Sequence, residues 1–130
     1  VNGGQFDAKG GGVCLANIIG TAIINNGTFN VAGDGAFVYA ASDSKQDTVT
    51  TINNGIFTAM DAAAVAFYFD GTSGKVIVNG GTFTAPALVG GAKGTLIING
   101  GTFSVDPSAY VDTTTHTVTE NNGTWTVTAK

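Results

Sequence analysis

The apolar positions of this chain fall in short clusters that return in a fixed order around one polar motif. Val1-Asn2-Gly3-Gly4-Gln5-Phe6 recurs as Ile24-Asn25-Asn26-Gly27-Thr28-Phe29, Ile52-Asn53-Asn54-Gly55-Ile56-Phe57 and Val78-Asn79-Gly80-Gly81-Thr82-Phe83. It returns as Ile98-Asn99-Gly100-Gly101-Thr102-Phe103 and, with an indole, as Glu120-Asn121-Asn122-Gly123-Thr124-Trp125. The aromatic steps are 23, 28, 26, 20 and 22 residues. A rigid fibrous period would not tolerate that spread, whereas stacked coils with variable loops do.

Each repeat splits into three short apolar stretches. One precedes the motif (Val76-Ile77-Val78), one follows its glycine (Thr82-Phe83-Thr84-Ala85), and one comes after a loop (Phe37-Val38-Tyr39, Phe67-Tyr68-Phe69, Ala109-Tyr110-Val111). All are β-branched or aromatic and bounded by Gly, Asn, Asp or Ser, which predicts strands. The fold class predicted is all-β: a right-handed single-stranded parallel β-helix, or solenoid, of about five coils with three short strands per coil. Residues 1–130 form one such domain, expected to be a segment of a larger protein or assembly.

Alternation in the second strand points Phe6, Phe29, Phe57, Phe83, Phe103 and Trp125 inward as one column. In the same stacking Asn25, Asn53, Asn79 and Asn99 form an amide ladder, one strand spacing of about 4.8 Å per step. The Asn-Gly pair suits a corner, because both residues tolerate positive φ. The same dipeptide also reads as a hairpin turn. Antiparallel hairpins are the competing architecture, disfavoured because one aromatic returns only once per long repeat. Asp61-Ala62-Ala63-Ala64-Val65-Ala66 reads locally as a capped helix start, while Phe67-Tyr68-Phe69 after it still reads as the third strand of its coil.

Composition narrows the function. Glycine supplies 20 of 130 residues, charged residues only 11%, and arginine is absent, with a net charge of −4. Without clustered cations neither nucleic acid nor an anionic membrane surface is an expected partner, and no apolar run is long enough for membrane insertion as a helix. Cys14 is the single cysteine, so it builds no thiolate cluster and reads as a small buried hydrophobe. No catalytic residue, cofactor or metal is expected. Asp34, Asp61, Asp106, Asp43, Asp47, Asp70 and Asp112 read as solvated loop acids. Two weaker options use them: paired carboxylates, Asp34 with Asp61 or Asp47 with Asp70, or calcium loops at Asp34-Gly35 and Asp70-Gly71.

Tyr39, Tyr68 and Tyr110 occupy corresponding third stretches. Facing outward they offer stacking platforms for sugar rings, with Asp70 nearby as an acceptor; facing inward they complete the core. Alternation does not decide, because both faces of that stretch are apolar. Outward threonines on the second strand raise ice binding as a further, weaker option.

The repeated Ile-Asn-Gly-Gly-Thr-Phe, together with Gly101 to Val111 and the closing Gly123-Thr124-Trp125-Thr126-Val127, resembles the pectate-lyase-like right-handed β-helix repeat domains of surface proteins of Gram-positive gut bacteria and their phages. That resemblance implies an extracellular, cell-surface or virion location. The function expected is a structural or adhesive surface module, as fibre, spike, adhesin or decoration, with a non-catalytic carbohydrate-binding module, suggested by the tyrosines, as the alternative. A polysaccharide-degrading enzyme fits less well: the β-elimination members use a strong base, usually arginine, and this chain has none. Because an open solenoid exposes strand edges, a protein partner or self-association is expected at the N-terminal end.

Overall fold

The computed structural model describes residues 1–41, 48–71, 74–92 and 94–130; the loop acids Asp43 and Asp47 lie outside them. The chain winds through three sheets in turn. The first winding is β1 (Gln5–Lys9), β2 (Val13–Asn17) and β3 (Gly20–Ile24). The second is β4 (Thr28–Ala32), β5 (Ala36–Ala41) and β6 (Thr48–Ile52). The third is β7 (Ile56–Ala59), β8 (Val65–Asp70) and β9 (Gly74–Val78), and the fourth β10 (Thr82–Thr84), β11 (Val89–Gly91) and β12 (Thr95–Ile98). β13 (Gly101–Phe103) opens a fifth. Like strands stack on like in parallel: β1-β4-β7-β10-β13 in the first sheet, β2-β5-β8-β11 in the second, β3-β6-β9-β12 in the third. This is the three-sheet β-solenoid that the repeats predict.

The registers place equivalent side chains over one another, Phe6 on Phe29, Phe29 on Phe57, Phe57 on Phe83 and Phe83 on Phe103. Their rings stack at 4.9, 4.6, 4.4 and 5.1 Å between centroids, nearly parallel at each step. Phe37 meets Phe57 edge-on at 5.4 Å, so the second sheet closes on the column. Ile24, Ile52, Val78 and Ile98, the residues just before each motif asparagine, are all fully buried from the third sheet. Their neighbours Ile23, Ile77 and Ile97 face outward, and Ile23 is 47% exposed.

The motif glycine has a second role beside its positive φ. Gly55 has φ 141°, and a Cβ there would lie 2.8 Å from Cε2 of Phe57. The ring folds back over the glycine two residues before it, and Gly27–Phe29, Gly81–Phe83 and Gly101–Phe103 repeat the contact. The Asn ladder is present and one rung longer than expected: Asn25 donates its amide to Asn2 (2.9 Å), Asn53 to Asn25 (2.8 Å), Asn79 to Asn53 (3.0 Å) and Asn99 to Asn79 (3.1 Å).

Three expectations are corrected. The sixth motif starts no further coil. β14 (His116–Asn121) and β15 (Thr124–Ala129) form a hairpin, and β15 runs antiparallel to β13. Trp125 lies opposite Phe103 and packs half-buried on the core, but from a reversed strand and outside the ring stack. The reason is local: Glu120 stands where the second to fifth motifs carry the buried Ile24, Ile52, Val78 and Ile98, and both Asn122 (φ 53°) and Gly123 (φ 78°) adopt left-handed backbone. That pair is what a two-residue hairpin turn requires, and Glu120 accepts the Gly123 amide at 2.7 Å. Second, residues 109–111 form no third strand; Ser108–Tyr110 is a 3₁₀ turn following Pro107. Third, Asp61 begins a turn and no helix, its carboxylate accepting the Ala63 amide.

Candidate functional site

Outward positions of the second sheet line up as Ala16, Tyr39, Tyr68 and Gly90 across four windings. Two phenol rings therefore stand together between two small residues. Their centroids are 5.7 Å apart at 11°. A Cβ on Gly91 would come within 3.0 Å of the Tyr68 ring, and one on Gly90 within 3.6 Å. The absence of a side chain at 91 thus leaves room for the Tyr68 ring, whereas the approach at 90 is ordinary van der Waals contact. Tyr68 is 41% exposed. Tyr39 is half-buried and donates its hydroxyl to the Asp70 carboxylate, which holds the phenol above its ordinary pKa.

These rings wall a surface cavity of about 460 Å³. Its floor is Val13, Ala36 and Val65, and its rim carries two carboxylates, Asp34 and Asp70. Asp34 sits in a tight approach between neighbouring loops: a Cβ on Gly11 would lie 2.7 Å from its Oδ1, and one on Gly35 only 1.9 Å from the carbonyl oxygen of Gly12. A side chain at Gly11 would displace the Asp34 carboxylate, and one at Gly35 would push the two loops apart. Among the described residues no lysine lines it.

Of the four residues singled out for ligand binding, the structure brings Tyr39, Tyr68 and Asp70 together and leaves Tyr110 apart. Tyr110 packs against the core from the 3₁₀ turn, at the closed end of the solenoid. Tyr39 and Tyr68 are in neither core nor cap. From the sequence Asp34 reads as a solvated loop acid, with a paired carboxylate or a calcium loop as weaker options; its place on the rim depends on the register of loops, which the spacing of motifs does not encode.

The remaining candidates disperse. Among the described residues no group of three or more His, Cys, Asp or Glu is placed to hold a metal. Asp106 and Asp112 each cap a local turn, accepting from Ser108 and Thr114. Cys14 is half-buried with its Sγ 3.6 Å from the carbonyls of Phe6 and Asn30, and burial pushes its thiol pKa up. The outward column of the first sheet runs Thr28, Ile56, Thr82, Thr102, so an apolar residue interrupts the threonines. No family model, characterised protein or solved structure matches the chain.

Proposed function

We propose that the chain is a non-catalytic adhesive module of a surface protein, and that it binds neutral glycans in the Tyr39–Tyr68 trough. One observation carries the reading: two parallel tyrosine rings, one of them 41% exposed, wall a concavity rimmed by Asp34 and Asp70. Sugar rings present C–H faces that pack on aromatic surface, and their hydroxyls donate to carboxylates. The volume lies within the roughly 300–1,000 Å³ common for small-ligand sites. Outward aromatics on a rigid sheet lose little side-chain freedom on binding, which favours recognition over catalysis.

The charge pattern sets the class of glycan. Two carboxylates, with no lysine among the described lining residues, repel uronates and sialylated chains, since like charge in a partly enclosed site disfavours the ligand. Binding is therefore expected on a glycan panel for neutral chains and not for acidic ones. Tyr68→Ala should lower affinity about tenfold or more, on the scale of one lost aromatic contact. Equal binding by the variant, or retention of acidic glycans in preference to neutral ones, removes the proposal.

A further inference from the structure

Each of the six motifs contains one Asn-Gly peptide bond. It follows the first motif asparagine in Asn2-Gly3, Asn79-Gly80 and Asn99-Gly100, and the second in Asn26-Gly27, Asn54-Gly55 and Asn122-Gly123. That shift of one residue separates two environments. The first asparagine is a rung of the amide ladder. Asn79 donates to Asn53 and accepts from Asn99, Asn99 donates to Asn79, and Asn2 accepts from Asn25. The second asparagine stands outside the ladder. Asn26 and Asn54 are exposed, and among the described residues neither carboxamide has a hydrogen-bond partner. The backbone amides of Gly27 and Gly55 likewise have no acceptor among the described residues. Asn122 is exposed as well, but the amide that follows it, that of Gly123, donates to the Glu120 carboxylate at 2.7 Å.

We propose that Asn26 and Asn54 are sites of spontaneous deamidation, and that the ladder and Glu120 protect Asn79, Asn99 and Asn122. At Asn54 the Gly55 amide loses its proton to hydroxide, and its nitrogen attacks Cγ of Asn54. A new Cγ–N bond forms, the carboxamide C–N bond breaks, and ammonia leaves with a proton from water, which returns the hydroxide. Water then opens the five-membered imide at either carbonyl, leaving aspartate or isoaspartate. The attacking and attacked groups belong to adjacent residues, so the reaction is intramolecular and its rate depends on their freedom to meet. Glycine places no Cβ beside the attacking nitrogen. A ladder carboxamide must first give up its bonds, two at Asn79 and one at Asn99, and each bond slows the attack several-fold. At Gly123 the carboxylate opposes loss of the amide proton, since a like charge disfavours the anion. Conversion at Asn26 and Asn54 adds two negative charges to a chain whose net charge is −4.

Peptide mapping by mass spectrometry, with isoaspartate read over time in mildly alkaline buffer, tests this. The same chain held unfolded in denaturant is the reference. There Asn26, Asn54, Asn79, Asn99 and Asn122 should convert at similar rates, because glycine follows each. In the folded chain Asn26 and Asn54 should convert at least about fivefold faster than the other three, on the scale of one surface hydrogen bond. Asn53→Ala removes the acceptor of Asn79 and should speed conversion there, while Asn99, whose acceptor is retained, keeps its rate. Equal rates at the five sites of the folded chain, or Asn79 or Asn99 converting ahead of Asn54, overturn the proposal. So does a joint rise at Asn79 and Asn99 in Asn53→Ala, which would assign the protection to general tightness of the fold.

Discussion

The rings of Phe57 and Phe83 lie 4.4 Å apart and within 7° of parallel, in adjacent windings of one sheet. This is the tightest step in the ring column, and Phe37 and Phe67 approach Phe83 from the second sheet at 6.4 and 5.8 Å. Phe83 thus joins four rings, including Phe103 at 5.1 Å. Truncation to alanine leaves a cavity that the stacked backbone cannot collapse, because strand spacing is fixed by hydrogen bonds on both sides. Phe83→Ala should cost about 3–5 kcal/mol in equilibrium unfolding. Thr82→Ala, one residue away on the outer face, should cost less than about 0.5 kcal/mol. Comparable losses at both positions would mean that the column does not carry the stability of the fold.

The column was legible because its signal is repeated: the same ring follows the same glycine by two residues in five parallel strands of the first sheet. The reversal at the sixth motif was masked by that very repetition. The turn residues Asn122 and Gly123 match the other motifs, and only Glu120, in the place of the fully buried Ile24, Ile52, Val78 and Ile98, marks the difference. A carboxylate in that position cannot enter the core without an ionic partner. The tyrosines were legible as a set but not by orientation. Phe37 and Val38 are both buried in β5 before Tyr39 turns outward, so simple alternation fails at the position that matters. Asp106-Pro107-Ser108 ahead of Tyr110 was the available sign of a turn, since proline removes an amide that a strand would use.

The asparagine ladder offers an internal comparison. Asn53 both donates to Asn25 and accepts from Asn79, whereas Asn2 only accepts from Asn25. These amides are on the surface, so each bond contributes at the low end of about 0.5–1.5 kcal/mol. Asn53→Ala should therefore destabilise by about 1 kcal/mol, and Asn2→Ala by about half of that or less. Thermal unfolding of the two variants side by side measures the ratio. A larger loss at Asn2 would show that the amides act separately, with no ladder linking the windings.

The C-terminal cap should loosen in acid before the ring column melts. Asp106 is held below the ordinary carboxylate pKa of 3.8 chiefly by the Ser108 hydroxyl, then by its amide; Asp112 is held down by the Thr114 hydroxyl and amide. A carboxylate whose folded pKa is depressed contributes stability that is complete above its unfolded pKa and is lost as pH falls through the folded value. The window is thus the range below about pH 3.8. Asp112 also anchors the entry to β14, its carbonyl accepting the amides of Thr115 and His116 at 3.2 and 2.9 Å. The only tryptophan, Trp125, sits in β15 of this cap and reports on it directly. Its emission should shift toward that of solvent-exposed indole as acid is added, while the far-ultraviolet β signal from the parallel windings persists. Asp112→Asn keeps the acceptor oxygen and removes the charge, so it should flatten the acid dependence without abolishing the cap at neutral pH. If Trp125 and the β signal change together at one midpoint, the cap and the solenoid are a single cooperative unit and the turn carboxylates do not set its acid limit.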